Sequence, residues 1–303
     1  MALGYSGKLF ILAFDHRGSF QKKMFGIEGD PDEEETNRII DAKSVIFDGF
    51  TRAIAEGAPQ SGAGVLVDEQ FGTDVARKAK ANGFILAMPV EKSGQNEFDF
   101  QYGSDFGAHI EEFDPTFSKV LVRYNPDGDA AMNERQTARL KELSDWLHAN
   151  DRKFLFELLV PAEDAQLEAV DGDAERYDTE VRPGLMLRTL QHFQSAGVEA
   201  DIWKIEGIDK REDCEAIAAQ ARSDGRDGVG CVVLGRGANA EKVDHWLQQG
   251  AGVEGYIGFA IGRTIWWDAL KAFLDGSLSR EDAAGQISAN YRRSIDVYEA
   301  ASS

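Results

Sequence analysis

The chain is poor in the residues that hold metals or cross-link loops. Only two of its 303 residues are cysteines, Cys214 and Cys231, and they lack CxxC spacing. Two such thiols exclude a zinc knuckle and a disulfide framework. Five histidines, His16, His109, His148, His192 and His245, are scattered without an HxH or HExxH pattern. No His- or Cys-built metal site is therefore expected; no cofactor is expected either. No run of about 18 apolar residues occurs, so no membrane-spanning segment is expected. Residues 1–7 lack the basic and then apolar regions of a secretory signal, and the expected location is the cytoplasm. Basic residues are outnumbered, 33 Lys plus Arg against 53 Asp plus Glu, for a net charge of −20. Such a surface repels nucleic-acid backbones and anionic membranes, so neither is an expected partner. An anionic small molecule is still allowed, provided a local Arg or Lys cluster or a helix N-terminus receives it.

Eight apolar runs are present, and most are followed by a helical pattern. The runs cover 9–14, 63–67, 84–90, 119–124, 154–160, 201–206, 231–234 and 256–261. The strongest helical stripe is Ile39, Ile40, Val45, Ile46, Phe50 and Ile54 within 34–56, ended by Gly57. Further helices are predicted over 73–81, 104–112, 133–149, 182–196, 211–223, 240–249 and 266–274. A final amphipathic helix spans 279–300, with Ser279 as N-cap. Strand and helix alternating eight times over this length predict a (β/α)8 TIM barrel with an extra C-terminal helix. No linker-like stretch divides the chain, so residues 1–303 are expected to form one domain. The alternative, a doubly wound open sheet, lacks its GxGxxG after the first strand. Two long polar loops, 94–102 and 162–179, are expected on the rim formed by the C-terminal strand ends.

The sixth run, Asp201-Ile202-Trp203-Lys204-Ile205-Glu206, holds a lysine inside a buried strand. Burial disfavours an ammonium, and a neutral amine is the form that attacks a ketone to make an imine. A structural ion pair with Asp201 or Glu206 is the competing reading. The adjacent fifth run carries Glu157 among apolar neighbours. A lysine and a carboxyl on neighbouring strands suit imine chemistry, the carboxyl shuttling protons; a plain buried pair is again the alternative. Charged residues at the other strand ends include Asp15, Arg17, Asp68, Glu69, Glu91, Lys119 and Arg123. Lys119 and Arg123 share a face because strand side chains alternate. Gly235-Arg236-Gly237 and Gly262-Arg263 close the seventh and eighth runs, where barrels of this kind often hold phosphate. Arg263 offers a forked cation to such a group. Each Gly-Arg alone also reads as a turn bearing a surface arginine, and Asp15 alone as a cap or turn residue.

These stretches together resemble the class I aldolase family of tagatose-1,6-bisphosphate aldolases and their relatives. The resemblance rests on Asp15-His16-Arg17-Gly18, Val67-Asp68-Glu69-Gln70-Phe71-Gly72, residues 119–124, Phe156-Glu157-Leu158-Leu159, residues 201–206 and Gly262-Arg263. The opening segment 9–19 is most similar to the aldolase module of inositol catabolism, assigned to 2-deoxy-5-keto-gluconate 6-phosphate. The resemblance implies a Schiff-base lyase with Lys204 as the imine-forming residue and Glu157 as proton shuttle. Asp15 and Lys119 would orient hydroxyls, and Arg263 would bind phosphate. Arg17, Arg123, Gly235, Arg236 and Gly262 complete the expected substrate- and phosphate-binding set. Two positions depart from the family: Gly235 stands where the bisphosphate enzymes carry serine, and His16 where they carry glutamine. The expected partner is a small phosphosugar, cleaved to dihydroxyacetone phosphate and malonate semialdehyde. A homo-oligomer is compatible with the sequence. Competing readings are an aldolase for another ketose phosphate, a non-catalytic sugar-phosphate-binding regulator, and a metal-dependent aldolase or isomerase.

Overall fold

A computed structural model describes residues 2–302. Eight parallel strands close into a barrel in sequence order, which excludes the open-sheet alternative. They are β1 (Leu9–Ala13), β2 (Ala63–Leu66), β3 (Ile85–Pro89), β4 (Phe117–Arg123), β5 (Lys153–Leu159), β6 (Ile202–Glu206), β7 (Gly230–Leu234) and β8 (Tyr256–Ile261). β1 pairs with both β2 and β8, with Ile11 opposite Gly64 and Ala260. Every strand therefore has both edges satisfied, and no edge is left as a template for aggregation.

Alternation divides the apolar residues into two layers. Leu9, Ile11, Phe117, Leu155, Ile202 and Val232 fill the lumen, while the other face packs outward against the helices. Tyr5 closes the bottom of the lumen, its ring edge-on to Phe117 at 5.3 Å. The strand continues the same parity upward. Lys119 is two residues above Phe117, Glu157 two above Leu155, and Lys204 two above Ile202. The apolar floor thus gives way to a charged layer at the barrel mouth.

Helices of the outer ring start where local chemistry satisfies their first N–H groups. Asp32 and Glu35 form a capping box for the helix Glu33–Ala55. Asp68 accepts from Phe71 N, so the helix after β2 runs Glu69–Ala81 and starts earlier than the predicted 73. Asp129 caps Ala130–Ala149, again earlier than the predicted 133. In the first case polar Glu69 and Gln70 open the helix, and in the second small Ala130 and Ala131 do, so neither start shows in an apolar-periodicity reading. The loop 162–179 is not structureless; it contains the short helices Asp164–Glu168 and Ala174–Arg176. The last helix, Arg280–Ala301, begins at the Ser279 cap. It lies against Glu33–Ala55, where a Cβ added to Gly49 would stand 2.5 Å from Ile287. Tyr291 and Tyr298 of that helix donate to the carbonyls of Phe10 and Tyr256, on either side of the β1–β8 seam. Among the described residues no helix is long and apolar enough to cross a membrane.

Candidate active site

The barrel mouth opens into a cavity of about 330 Å³, lined by residues from every strand end except that of β2 and by the loop 92–98. At its floor is a chain of buried ion pairs. Lys204 Nζ lies 3.0 Å from Glu157 Oε1. Lys119 Nζ lies 3.0 Å from Glu157 Oε2, 2.8 Å from Asp15 Oδ2 and 2.8 Å from Glu91 Oε1. The Lys119–Glu157 contact is an ion pair without hydrogen-bond alignment. Lys204 is 4 % exposed and Lys119 1 %. Direct register explains the first pair: Glu157 and Lys204 are Cα partners across β5 and β6.

Burial works against each of these charges, and the partners decide the outcome. Around Lys119 the carboxylates of Asp15, Glu157 and Glu91 outweigh burial and hold its pKa above the ordinary lysine value. The Asp15 carboxyl is held well below its usual range despite burial, chiefly by Lys119. Glu157 is drawn down by Lys119 and Lys204 against the same penalty. Glu91 goes the other way: burial pushes it up, Asp15 adds to the push, and Lys119 and Arg17 oppose it. His16, also lining the cavity, is pushed down to about 4 by burial, which Asp15 opposes and Arg263 reinforces. It is therefore a neutral imidazole near pH 7. Its ring stands edge-on to Trp266 at 5.6 Å, and its Nδ1 has no hydrogen-bond partner among the described residues.

The arginines divide into engaged and free. Arg17 donates to the Glu91 carbonyl at 2.8 Å and to Gln101 at 3.2 Å, bracing the wall between β1 and β3. Arg236 directs its guanidinium to Glu206 at 3.1 Å and Asp178 at 2.5 Å. Arg123 donates to the Gln95 carbonyl at 2.9 Å, and Arg263 to the Arg236 carbonyl at 3.1 Å. Neither Arg123 nor Arg263 has a carboxylate in ion-pair range among the described residues. Arg263 opens the helix Arg263–Leu274, directly after Gly262. Its guanidinium lies over Gly237, where an added Cβ would come within 2.4 Å of Nη2. Arg236 and Gly237 both adopt left-handed backbone, φ 50° and 74°, turning the chain sharply beneath that guanidinium. Gly262 passes so close to β1 that an added Cβ would meet the Ala13 carbonyl at 2.2 Å. Gly235, Arg236, Gly237, Gly262 and Arg263 all line the cavity on the side of β7 and β8.

Asp201 and Glu206, the alternative partners for Lys204, lie elsewhere. Asp201 binds the N-terminal segment at the barrel bottom, accepting from Gly4 N at 2.7 Å and pairing with Lys153. Glu206 accepts from Val160 N, pairs with Arg182 and Arg236, and does not itself line the cavity. Asp68 is structural. It pairs with Lys43, a fully buried residue of the helix Glu33–Ala55, and caps the next helix. Lys43 also donates to the carbonyls of Phe14 and His16, holding the loop that carries Asp15. Glu69 binds His109 at 2.9 Å, away from the mouth. Sequence reasoning missed Lys43, yet a signal existed: it falls four residues after Ile39 and three before Ile46, on the buried stripe. Among the described residues no group of three or more His, Cys, Asp or Glu is arranged to hold a metal ion.

Residues 4–302 match the family described as "Uncharacterized protein conserved in bacteria (DUF2090)", and the chain belongs to that family. Its distant relatives carry a more specific description. A tagatose 1,6-diphosphate aldolase 2 of Streptococcus pyogenes serotype M1 is 22% identical over 296 residues, covering 90% of this chain and 84% of that protein. A tagatose 1,6-diphosphate aldolase of Listeria monocytogenes serotype 4a is 24% identical over 205 residues; the match spans 66% of this chain and only 56% of the relative. Among solved structures, fructose-bisphosphate aldolase from Plasmodium falciparum superposes with a TM-score of 0.68 at 14% identity, over 97% of this chain and 91% of that one. A Schiff-base-forming fructose-1,6-bisphosphate aldolase superposes at 0.55 with 15% identity, over 95% and 94%. At such identities the likeness establishes the fold, a (β/α)8 barrel.

Proposed function

We propose that the protein is a class I aldolase, a lyase that cleaves a phosphorylated ketose or keto-sugar acid through an imine on Lys204. One observation carries the reading. A buried amine at the barrel mouth has a carboxyl at 3.0 Å, within the same cavity as Arg263, which opens a helix and has no carboxylate in ion-pair range among the described residues.

The steps follow from that arrangement. Arg263, the N-terminus of its helix and the Gly235–Gly237 turn hold the substrate phosphate. The Lys204 amine attacks the ketone carbon, and Glu157 takes and returns the proton as the carbinolamine loses water. The iminium then draws electrons from the neighbouring carbon–carbon bond. Glu157 accepts the proton of the β-hydroxyl, the bond breaks, and an aldehyde leaves. The enamine is protonated on carbon and hydrolysed, freeing a ketone phosphate and the amine. Asp15 and Lys119 orient hydroxyls beside Glu157. Arg17 braces this wall, and Arg123 faces the outer end of the substrate.

Two substrates merit assay. Sequence resemblance favours 2-deoxy-5-keto-gluconate 6-phosphate, which would yield dihydroxyacetone phosphate and malonate semialdehyde. The named relatives favour tagatose 1,6-bisphosphate. Borohydride reduction with either substrate, followed by peptide mass mapping, should label Lys204. A label elsewhere, or full turnover by Lys204→Ala, would refute the assignment. Phosphosugar binding with neither label nor turnover would favour a regulator instead.

A further inference from the structure

Glu91 is the one buried carboxyl of the network for which the proposed steps have no use. It lies at the end of β3 with its backbone fixed from both sides. Glu91 bridges Phe100, Lys92 N donates to Asp99 O, and Gln101 N donates to Val90 O. Arg17 holds its carbonyl. The side chain is equally constrained: Oε1 receives Lys119 at 2.8 Å, with Arg17 at 3.5 Å. The second oxygen, Oε2, is buried without a hydrogen-bond partner among the described residues, and the residue lines the cavity. A buried carboxyl oxygen left without a partner is costly, which marks it as a place a ligand completes.

The network also says what kind of group fits. Lys204 leads to Glu157, Glu157 to Lys119, and Lys119 to Glu91. Glu91 is therefore beyond the position where the cleaved bond and its hydroxyl sit, on the side of the leaving aldehyde. Asp15, another carboxylate, shares the same ammonium. A phosphate or carboxylate pressed against Oε2 would meet two acidic groups whose single shared cation is already surrounded. A neutral hydroxyl meets neither objection: it can donate to a carboxylate or accept from a carboxylic acid. Burial favours the uncharged form of Glu91, and both forms serve a hydroxyl.

We infer that Glu91 is a specificity-determining residue whose Oε2 binds a hydroxyl on the aldehyde fragment, next to the carbon formed by cleavage. The inference rests on the aldolase reading and narrows it. It favours substrates whose aldehyde fragment is a 2-hydroxyaldehyde over those whose fragment carries a methylene there, as malonate semialdehyde does.

The test is aldol addition of dihydroxyacetone phosphate to a matched pair of uncharged aldehydes, D-glyceraldehyde and its 2-deoxy counterpart 3-hydroxypropanal. The readout is the ratio of kcat/KM values for the two, which cancels general damage to the site. Losing a hydrogen bond built for a substrate hydroxyl should lower that ratio by about tenfold or more in Glu91→Ala. Glu91→Asp keeps a carboxylate for Lys119 and Arg17 but withdraws the free oxygen, and should lower it as well. Glu91→Gln, which retains an oxygen and a donor, should keep it near the wild-type value. An unchanged ratio in Glu91→Ala or Glu91→Asp overturns the inference. Borohydride trapping of dihydroxyacetone phosphate on Lys204 separates the two levels. Failure to trap in the wild type overturns the aldolase reading and this inference together; trapping with an unchanged ratio overturns this inference alone.

Discussion

Removing the Lys119 ammonium should destabilise the protein in a pH-dependent way. Lys119→Met keeps most of the buried stem and deletes the charge. Three carboxylates then lose the cation at 2.8, 2.8 and 3.0 Å. Glu157 keeps Lys204, and Glu91 keeps Arg17 at longer range. Asp15 has no other cation in ion-pair range among the described residues. Breaking a buried pair from one side costs about 3–5 kcal/mol. The carboxyls can relieve that cost by taking up protons, because burial without Lys119 raises their pKa values. In the wild type Asp15 and Glu157 are held low, so their contribution is present above the unfolded value near 4 and is lost as pH falls through the folded values. In the variant the folded pKa of Asp15 lies above the unfolded one, and stability should fall as pH rises through that window. Each unit by which the pH lies below the new pKa recovers about 1.4 kcal/mol. Urea unfolding of both proteins at pH 5 and pH 8 measures this. The deficit of the variant should be about 3–5 kcal/mol at pH 8 and smaller by at least about 1 kcal/mol at pH 5. An equal deficit at both, or a larger one at pH 5, would refute the reasoning.

Other expectations follow from single contacts. Gly237→Ala should raise KM for a phosphorylated substrate several-fold and cost about 1 kcal/mol, since φ 74° disfavours a side chain and the new Cβ would displace Arg263; steady-state kinetics and thermal unfolding check both. Lys43→Met should cost about 3–5 kcal/mol by stranding Asp68, and should lower kcat through the loosened 14–16 carbonyls, as read by denaturation and turnover. Tyr5→Ala should cost about 2–4 kcal/mol in unfolding experiments with kcat unchanged, because it opens only the barrel floor. His16 is neutral in the folded protein down to about pH 4, whereas the unfolded chain binds its proton near pH 6.5. Stability should therefore decline as pH falls between those values, and His16→Asn should flatten that slope in pH-dependent unfolding.

What could be read from the chain was whatever is local. Each strand announces itself as a short apolar run, and strand parity then puts Lys119, Glu157 and Lys204 on the lumen face above Phe117, Leu155 and Ile202. What could not be read was which charges meet. Lys119 and Asp15 are 104 residues apart, and Lys43 and Asp68 belong to different elements. Two arginines show the same limit: Arg263 is left over Gly237, while Arg236, one turn away, is taken by Glu206 and Asp178. Nothing in the spacing of the two Gly-Arg pairs distinguishes them. Helix starts differ from the expected ones where a capping aspartate precedes a first turn without the large apolar residues of the stripe, as Glu69-Gln70 after Asp68 and Ala130-Ala131 after Asp129.

The seam between β1 and β8 joins the two ends of the chain's sheet, and Tyr291 and Tyr298 of the last helix reach the carbonyls beside it. On a ribosome the first strand would wait with an unpaired edge until more than 240 further residues had emerged, since Leu9 pairs with Gly258. Contacts this distant in sequence slow folding. A stop codon ahead of Tyr291 would leave the seam unguarded, so the damage from late truncations should be read as loss of closure, far from any reacting atom.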